Sequence, residues 1–427
     1  MKVIWRLGAI IFAACLAGCS SSAGDSPPGI VYIMVDDLGY GDLGCYGSRS
    51  NQTPNIDSLA HEGIRFTDFH SNGPMCTPTR AAFITGKYQY RFGDKFERAL
   101  DGLRHYEEGL PRDTRSIASV LKSAGYATAV FGKWHLGYQP PFLPLSYGFD
   151  EFIGLGSGDG DHHTHIDRSG RRDWWQGDEL KMEEGYSTDL ITEHSVDFIK
   201  RNAGQPFFLY VSYLAIHFPW QGPEDPPHRQ EGIDYHQDKW GIIPDRKNVA
   251  PHVKAMVESV DKGVGEIIDA LRREGIGEDT LVIFTSDNGG YIDYKSGGFE
   301  NISSNGPLRG QKTEVYEGGH RVPFIAWWPG RVPAGTENNN LVMTMDMLPT
   351  FAELANARLS KEAAPDGISI TGQLKGLEVL SARTACWKNG ENRAIRQGDW
   401  KLCLIGDNQP ELYNLAEDPW CLINLAG

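Results

Sequence analysis

The sequence predicts an α/β fold: a doubly wound, mostly parallel sheet flanked by helices, followed by a small C-terminal antiparallel sheet. Three observations predict it. Short apolar runs alternate with stretches of helical period from residue 30 to about residue 356. The 427 residues are 40% hydrophobic and 23% charged, which suits one large packed domain with a smaller one beside it. After about residue 381 the pattern changes to short apolar segments separated by turn residues. The 50 glycines and 24 prolines imply many loops around these elements.

Residues 1–18 read as an address rather than as part of the fold. Lys2 and Arg6 are their only charges, and residues 7–18 form an apolar run too short to span a bilayer as a mature helix. The run ends in Leu16-Ala17-Gly18-Cys19, which resembles a bacterial lipobox. That resemblance implies a lipoprotein signal peptide over 1–18, a lipid anchor at Cys19 and export. Ser20 after the cysteine favours the outer membrane, on its periplasmic or cell-surface face. The alternative is an ordinary cleaved signal with a chance cysteine. Residues 19–29 are expected to be a flexible tether, residues 30–380 the main domain, and residues 381–427 a small C-terminal α+β subdomain.

The elements follow in order. Residues 30–35 form a strand. Thr53-Pro54 opens a helix to about residue 63, with proline in the first turn where it is tolerated. Residues 116–124 are a helix and 126–131 a strand; 187–202 are a helix and 207–216 a strand. A long helix over 251–274 precedes a strand over 280–285. Residues 322–328 are another strand and 345–356 a helix. The C-terminal sheet is expected from strands at 393–396, 400–405 and 411–413. Five cysteines lie beyond the leader: Cys45, Cys76, Cys386, Cys403 and Cys421. An odd number in an exported chain flags one thiol with another use. Cys386, Cys403 and Cys421 are close in sequence, where a disulfide is expected; the pairing, with Cys45 included, stays open.

The residues that follow the strands carry the chemistry. Asp36-Asp37 follow the first strand, Lys133-Trp134-His135 the second, His217 the third and Asp287-Asn288 the fourth. In an open α/β sheet the ligand site lies outside the carboxyl ends of the strands. Singly, each has an ordinary explanation as a cap, a turn former or a surface histidine. Four such groups on one edge do not. Asp36, Asp37, Asp287 and Asn288 cannot share a partly dry pocket without a cation, and oxygen-only ligands suit Ca²⁺ or Mg²⁺ better than Zn²⁺. Arg80, Lys133, His135, His217 and Lys312 are expected to bind an anion beside it. A metal with a cationic clamp suits transfer of a phosphoryl-like or sulfuryl group. The net charge of −15 excludes general nucleic-acid binding, so the basic pocket must be local.

Residues 72–87 are the most informative stretch. Pro78 marks a helix start, which places Cys76 at a helix N-terminus, where dipole and free N–H groups favour an anion. Arg80 lies one turn on, on the same face. Read on spacing alone, a buried structural cysteine is an equal alternative. At this point the chain resembles the type I sulfatases of the alkaline-phosphatase-like superfamily. Their Cys-x-Pro-x-Arg hallmark with a following Thr-Gly is matched by Cys76, Pro78, Arg80, Thr85 and Gly86. The resemblance extends over 30–424 and includes Asp36-Asp37, Gly132-Lys133-Trp134-His135, Ser286-Asp287-Asn288-Gly289-Gly290, Gly310-Gln311-Lys312 and Glu317-Gly318-Gly319-His320-Arg321.

The resemblance implies an alkaline-phosphatase-like fold and hydrolysis of sulfate esters. Cys76 would be converted to formylglycine by a formylglycine-generating or anaerobic maturation enzyme. Asp36, Asp37, Asp287 and Asn288, with residue 76, would hold one Ca²⁺. Arg80 would stabilise the aldehyde hydrate, and Lys133 and Lys312 would bind sulfate oxygens. His217 would be the acid for the leaving oxygen and His135 the base in the second step. A sulfated polysaccharide or oligosaccharide of the galactose or N-acetylgalactosamine type is the expected substrate. Two alternatives stay open: a phosphodiesterase or phosphonate hydrolase of the same superfamily, and a catalytically dead, glycan-binding surface lipoprotein.

Other signals carry less. Gly39-Tyr40-Gly41-Asp42-Leu43-Gly44 has dinucleotide-site spacing, but Asp36-Asp37 just upstream would repel a pyrophosphate. Asp161-His162-His163-Thr164-His165 lacks helical metal-ligand spacing and is expected to be a substrate-facing loop. Trp174-Trp175 suit either a sugar platform or packing; Trp327-Trp328 are expected in the core.

Overall fold

A computed structural model describes residues 27–359, 364–377 and 380–426. The leader, Cys19 and most of the expected tether lie outside the described residues. The strands are β1 (Gly29–Val35), β2 (Ile64–Phe66), β3 (Phe69–His70), β4 (Ala127–Gly132), β5 (Glu151–Gly154), β6 (Trp175–Gln176), β7 (Glu179–Leu180) and β8 (Phe207–Ser212). They continue with β9 (Thr280–Ser286), β10 (Phe324–Trp327), β11 (Thr336–Asn338), β12 (Val342–Met343), β13 (Thr384–Asn389), β14 (Asn392–Gln397), β15 (Trp400–Leu404) and β16 (Glu411–Asn414). The main helices are α1 (Pro54–Glu62), α2 (Cys76–Thr85), α3 (Ile117–Ser123), α4 (Ser187–Asn202), α5 (Ala250–Arg273), α6 (Glu317–His320) and α7 (Met347–Leu354).

Ten strands form the main sheet in the order β11-β2-β10-β9-β1-β8-β4-β5-β6-β7. The centre, from β9 through β1, β8 and β4 to β5, is parallel. β10 runs antiparallel to β9, and β6 and β7 close the other edge as an antiparallel ribbon. Strand alternation sends successive side chains to opposite faces. Val31, Ile33 and Val35 of β1 pack with Ile56 of α1, Ile191 of α4 and Ile267 of α5 on one face. Ile30, Tyr32 and Met34 pack with Phe83 of α2, Ile117 of α3 and Phe351 of α7 on the other. Both faces are buried, which explains the continuous apolar runs of the central strands. Trp327 and Trp328 are buried as expected.

Some elements differ from their sequence-level outlines. The strand expected over 207–216 leaves the sheet after Ser212. Residues 213–216 then cross to the end of β1, where the Asp36 amide donates to the Ala215 carbonyl at 2.8 Å and the Ile216 amide to the Asp36 carbonyl at 2.6 Å. The expected helix over 345–356 begins as a 3₁₀ turn, Thr344–Asp346, and runs into α7. The C-terminal sheet has a fourth strand, β13, that the sequence reading missed. Its signal was the Asn389-Gly390 pair at the β13–β14 turn, where Gly390 has φ +60°.

The expected disulfide does not form: Cys45, Cys76, Cys386, Cys403 and Cys421 are all free. Strand alternation separates two of them. Cys403 lies on the buried face of the C-terminal sheet with Trp387 and Tyr413, whereas Cys386 lies on the outer face with Leu402. The Gly39–Gly44 segment packs backbone to backbone: a Cβ on Gly39 would lie 2.3 Å from the Ser304 carbonyl oxygen. Its glycines serve close approach within the fold.

Candidate active site

The carboxyl ends of β1, β4, β8 and β9 converge with the N-terminus of α2. Cys76 is the first residue of α2, preceded by extended Met75, and is buried. Asp36 and Asp37 leave β1, and Asp37 adopts φ +66°, which turns its carboxylate back into the site. Asp287 and Asn288 leave β9 in the same direction. One ligand atom each from Asp36, Cys76 and Asp287 lies within 4.8 Å of the others. The Asp37 amide donates to Asp287 Oδ1 at 3.2 Å, and Asn288 Nδ2 donates to Asp37 Oδ1 at 2.8 Å. The five residues expected to hold a metal are therefore one cluster.

The chemistry of the cluster fits a divalent cation. Asp36 Oδ1 and Asn288 Oδ1 are buried and accept no hydrogen bond among the described residues. Buried oxygens of this kind are costly without a partner, and oxygen ligands are what a hard cation takes. Burial and the neighbouring Asp287 carboxylate push the Asp36 carboxyl well above its ordinary range. A bound cation would reverse that shift.

The cations stand around this cluster. Arg80 is buried and forks onto Asp287 Oδ2 through Nε at 3.0 Å and a terminal nitrogen at 2.8 Å. Its other terminal nitrogen donates to the Lys133 carbonyl at 3.0 Å and to Ser212 Oγ at 2.6 Å. Lys133 pairs with Asp36 and Lys312 with Asp37; both lysines are buried. Burial opposes the charge on Lys312, but the adjacent Asp37 carboxylate prevails and raises its pKa well above the usual lysine value.

The two histidines are fixed in opposite senses. His217 Nδ1 donates to the Phe218 carbonyl at 2.7 Å, which leaves Nε2 facing Asp37 Oδ2 at 4.0 Å. His135, held at φ +57°, donates from Nε2 to the Leu100 carbonyl at 3.0 Å. Its Nδ1 is buried without a partner among the described residues. Gly158 makes room for this ring, since a Cβ there would sit 2.3 Å from it. Burial lowers both histidines well below the ordinary value, assisted by Lys133 at His135 and by Lys312 at His217.

Cys76, His135, His217 and Lys312 open onto a cavity of about 210 Å³ whose outer wall includes Arg168, Lys239 and Tyr294. A wider opening of about 890 Å³ lies at the opposite end of the sheet, beside Gly29 and Thr280 at the strand starts, away from these groups. The histidine-rich loop differs from expectation. Residues 157–159 and 167–169 line the cavity, while Asp161, His162 and His165 are buried away from it. Asp161 accepts backbone N–H groups from His163, Thr164, His228 and Arg229, so its role is to hold the loop. Trp174 is buried and stacks on His165 with ring centroids 4.2 Å apart, which makes it a packing residue. Sequence reasoning missed Ser212, Tyr210, Arg168, Lys239 and Tyr294. Only tertiary contact marks them.

A cluster of candidate metal ligands beside buried cations suits the hydrolysis of an anionic ester. The comparisons narrow it further. The Sulfatase family matches residues 28–357. N-acetylgalactosamine-6-sulfatase of Canis lupus familiaris is 33% identical over 416 residues, 93% of this chain and 75% of the relative. Arylsulfatase A of Homo sapiens is 34% identical over 458 residues, covering 94% and 84%. Among solved structures, Ps i-CgsB in complex with k-i-k-neocarrahexaose superposes with a TM-score of 0.81 at 30% identity, covering 94% of this chain and 89% of the other. The chain belongs to the sulfatase family and is a sulfuric ester hydrolase. Members of this family generally use a formylglycine and a divalent metal.

Proposed function

We propose that the protein removes sulfate from a sulfated oligosaccharide or polysaccharide of the galactose or N-acetylgalactosamine type. The convergence of Cys76, Asp36 and Asp287 within 4.8 Å, ringed by Arg80, Lys133 and Lys312, carries this reading. The similarity to N-acetylgalactosamine-6-sulfatase and to Ps i-CgsB, solved in complex with k-i-k-neocarrahexaose, supports the sugar class.

Asp36, Asp37, Asp287 and Asn288, with residue 76, would hold Ca²⁺, which supplies charge neutralisation for the sulfate oxygens. Cys76 would reach its active form as formylglycine through a maturation enzyme. That aldehyde, as its hydrate, would supply the nucleophilic hydroxyl and the means of releasing sulfate at position 76. Arg80, locked by Asp287, Ser212 and the Lys133 carbonyl, positions residue 76 from one turn along α2. Lys312, on the cavity wall, and Lys133 beneath it face the sulfate oxygens. His217, protonated once the negative charge of the bound sulfate lies beside it, would give its Nε2 proton to the leaving sugar oxygen. His135 Nδ1, the free acceptor of its ring, takes the proton when sulfate is released. The leader motif at Cys19 supports export and lipid anchoring in the outer membrane.

Peptide mass spectrometry over residues 73–87, on protein made in its native host, tests the first requirement. The expected result is an aldehyde at position 76 in the preparation that releases sulfate. Cys76→Ala should lower turnover by about 10⁴-fold or more with the fold intact. An unmodified thiol throughout an active preparation would falsify the mechanism.

A further inference from the structure

The outer wall of the active-site cavity carries Lys239, which has no ion-pair partner among the described residues, and Arg168, whose acid is shared with a second arginine. Lys239 is half-buried there, and its Nζ sits over three aromatic rings, 5.3 Å from the Phe218 centroid, 5.6 Å from Trp240 and 5.2 Å from Tyr294. Its one hydrogen bond is donated to Tyr294 Oη at 3.1 Å. Among the described residues, no carboxylate lies within ion-pair distance of it. Arg168 approaches the same ring, its guanidinium carbon 5.5 Å from the Phe218 centroid. Asp159 is the acid next to Arg168, at 2.8 Å, but it is shared with the fully buried Arg229 at 3.1 Å. Two arginines therefore share one carboxylate.

Two further acids, Asp167 and Asp101, line the cavity, with their Oδ1 atoms turned to backbone amides rather than to Lys239. Asp167 Oδ1 accepts the amides of Ser169 and Arg171, and Asp101 Oδ1 accepts that of Leu103. Tyr294 Oη accepts from Lys239, and its own hydrogen makes no bond among the described residues. Phe218 follows the proposed acid His217 directly, so this cationic wall borders the chemistry without belonging to it.

We infer that Lys239, Arg168 and the Tyr294 hydroxyl form a second oxyanion subsite. It would bind a negatively charged substituent of the saccharide, a sulfate or a uronate carboxylate, other than the ester being cleaved. An ammonium flanked by ring faces is partly desolvated, which strengthens its attraction for an anion. The tyrosine hydroxyl adds a directional donor. The substrate is thus at least doubly anionic. This deepens the proposed function and rests on it for the identity of the cleaved group.

Calorimetric titration separates the two ideas, because it needs no turnover. The full chain bearing Cys76→Ala is titrated with three saccharides: one with a single ester sulfate, its disulfated counterpart and its uronate-bearing counterpart. The disulfated or the uronate ligand should bind about tenfold or more tightly than the monosulfate, and whichever shows the advantage identifies the anion. Adding Lys239→Met should erase that advantage, and Lys239→Arg should keep most of it. Thermal melting verifies that each variant is folded. Equal affinity for all three ligands, or an advantage that survives Lys239→Met, overturns the subsite. A wild-type protein with this binding pattern but no sulfate release keeps the subsite and loses the hydrolytic reading.

Discussion

Arg80 shows how one side chain serves stability and chemistry together. It is buried at the centre of the sheet edge and makes three kinds of contact at once: the Asp287 carboxylate, the Lys133 carbonyl and Ser212 Oγ. A planar fork can do this and a single ammonium cannot. Arg80→Lys should therefore lower kcat/KM by about 10²–10³-fold, the usual cost of a misplaced donor at a charged transition state. Arg80→Ala also leaves Asp287 uncompensated, which should destabilise the fold by about 3–5 kcal/mol. Kinetics and denaturant titration on the two variants test both figures. A lysine variant of wild-type activity would show that charge alone suffices.

Among the elements, the short helix α6 supports the loop after β9 that carries Asp287 and Asn288. The Gly289 amide donates to the Gly319 carbonyl at 3.0 Å, and a Cβ on Gly289 would lie 1.8 Å from the Gly318 carbonyl oxygen. No side chain fits there without moving Asn288. Gly289→Ala is expected to cost about 1–3 kcal/mol, as overpacking typically does, and to weaken metal binding. Melting temperature with and without added Ca²⁺ reads both effects: the variant should melt lower and gain less from the ion. A variant with the wild-type gain would separate α6 from the ligand loop.

Across the whole molecule, the C-terminal sheet is fastened to the main domain by buried charge. Lys401 of β15 donates to Glu317 Oε1 at 2.7 Å and meets His320 Nε2 at 2.9 Å, and Arg396 of β14 forks onto Asp68 at 2.8 Å. His70 and His320 meet through their Nδ1 atoms at 2.9 Å, and Trp387 stacks on His320 with centroids 3.9 Å apart. Although these atoms resemble a metal-ligand set, the Lys401 ammonium already occupies the position facing Glu317 and His320. Burial holds both histidines below the ordinary value, and Lys401 adds to this at His320. A histidine kept neutral in the folded state favours folding above the unfolded value of about 6.5, and that contribution is lost as pH falls below it. Thermal stability should therefore decline from pH 7 to pH 5, and His320→Gln should flatten the decline. Lys401→Met, which strands Glu317, should cost about 3–5 kcal/mol. A flat pH profile in the parent would contradict this account.

The sequence alone determined the layered architecture, because apolar periodicity and strand-end polarity are local properties. It also placed Asp36, Asp37, Lys133, His135, His217, Asp287 and Asn288 on one edge, because parallel strands must deliver their carboxyl ends to the same side, while the family motifs added Cys76, Arg80 and Lys312. It did not show that Lys133 and Lys312 rest on Asp36 and Asp37, that His162 and His165 turn inward, or that Cys386 and Cys403 face opposite ways. Those outcomes depend on loop paths and strand pairing between residues far apart in the chain. Lys239 and Tyr294 are the clearest case: 55 positions apart, in segments without regular period, they meet only because two loops fold over the same cavity. That packing leaves the Lys239 ammonium against aromatic rings and without an ion-pair partner among the described residues, which its place in the chain does not foretell.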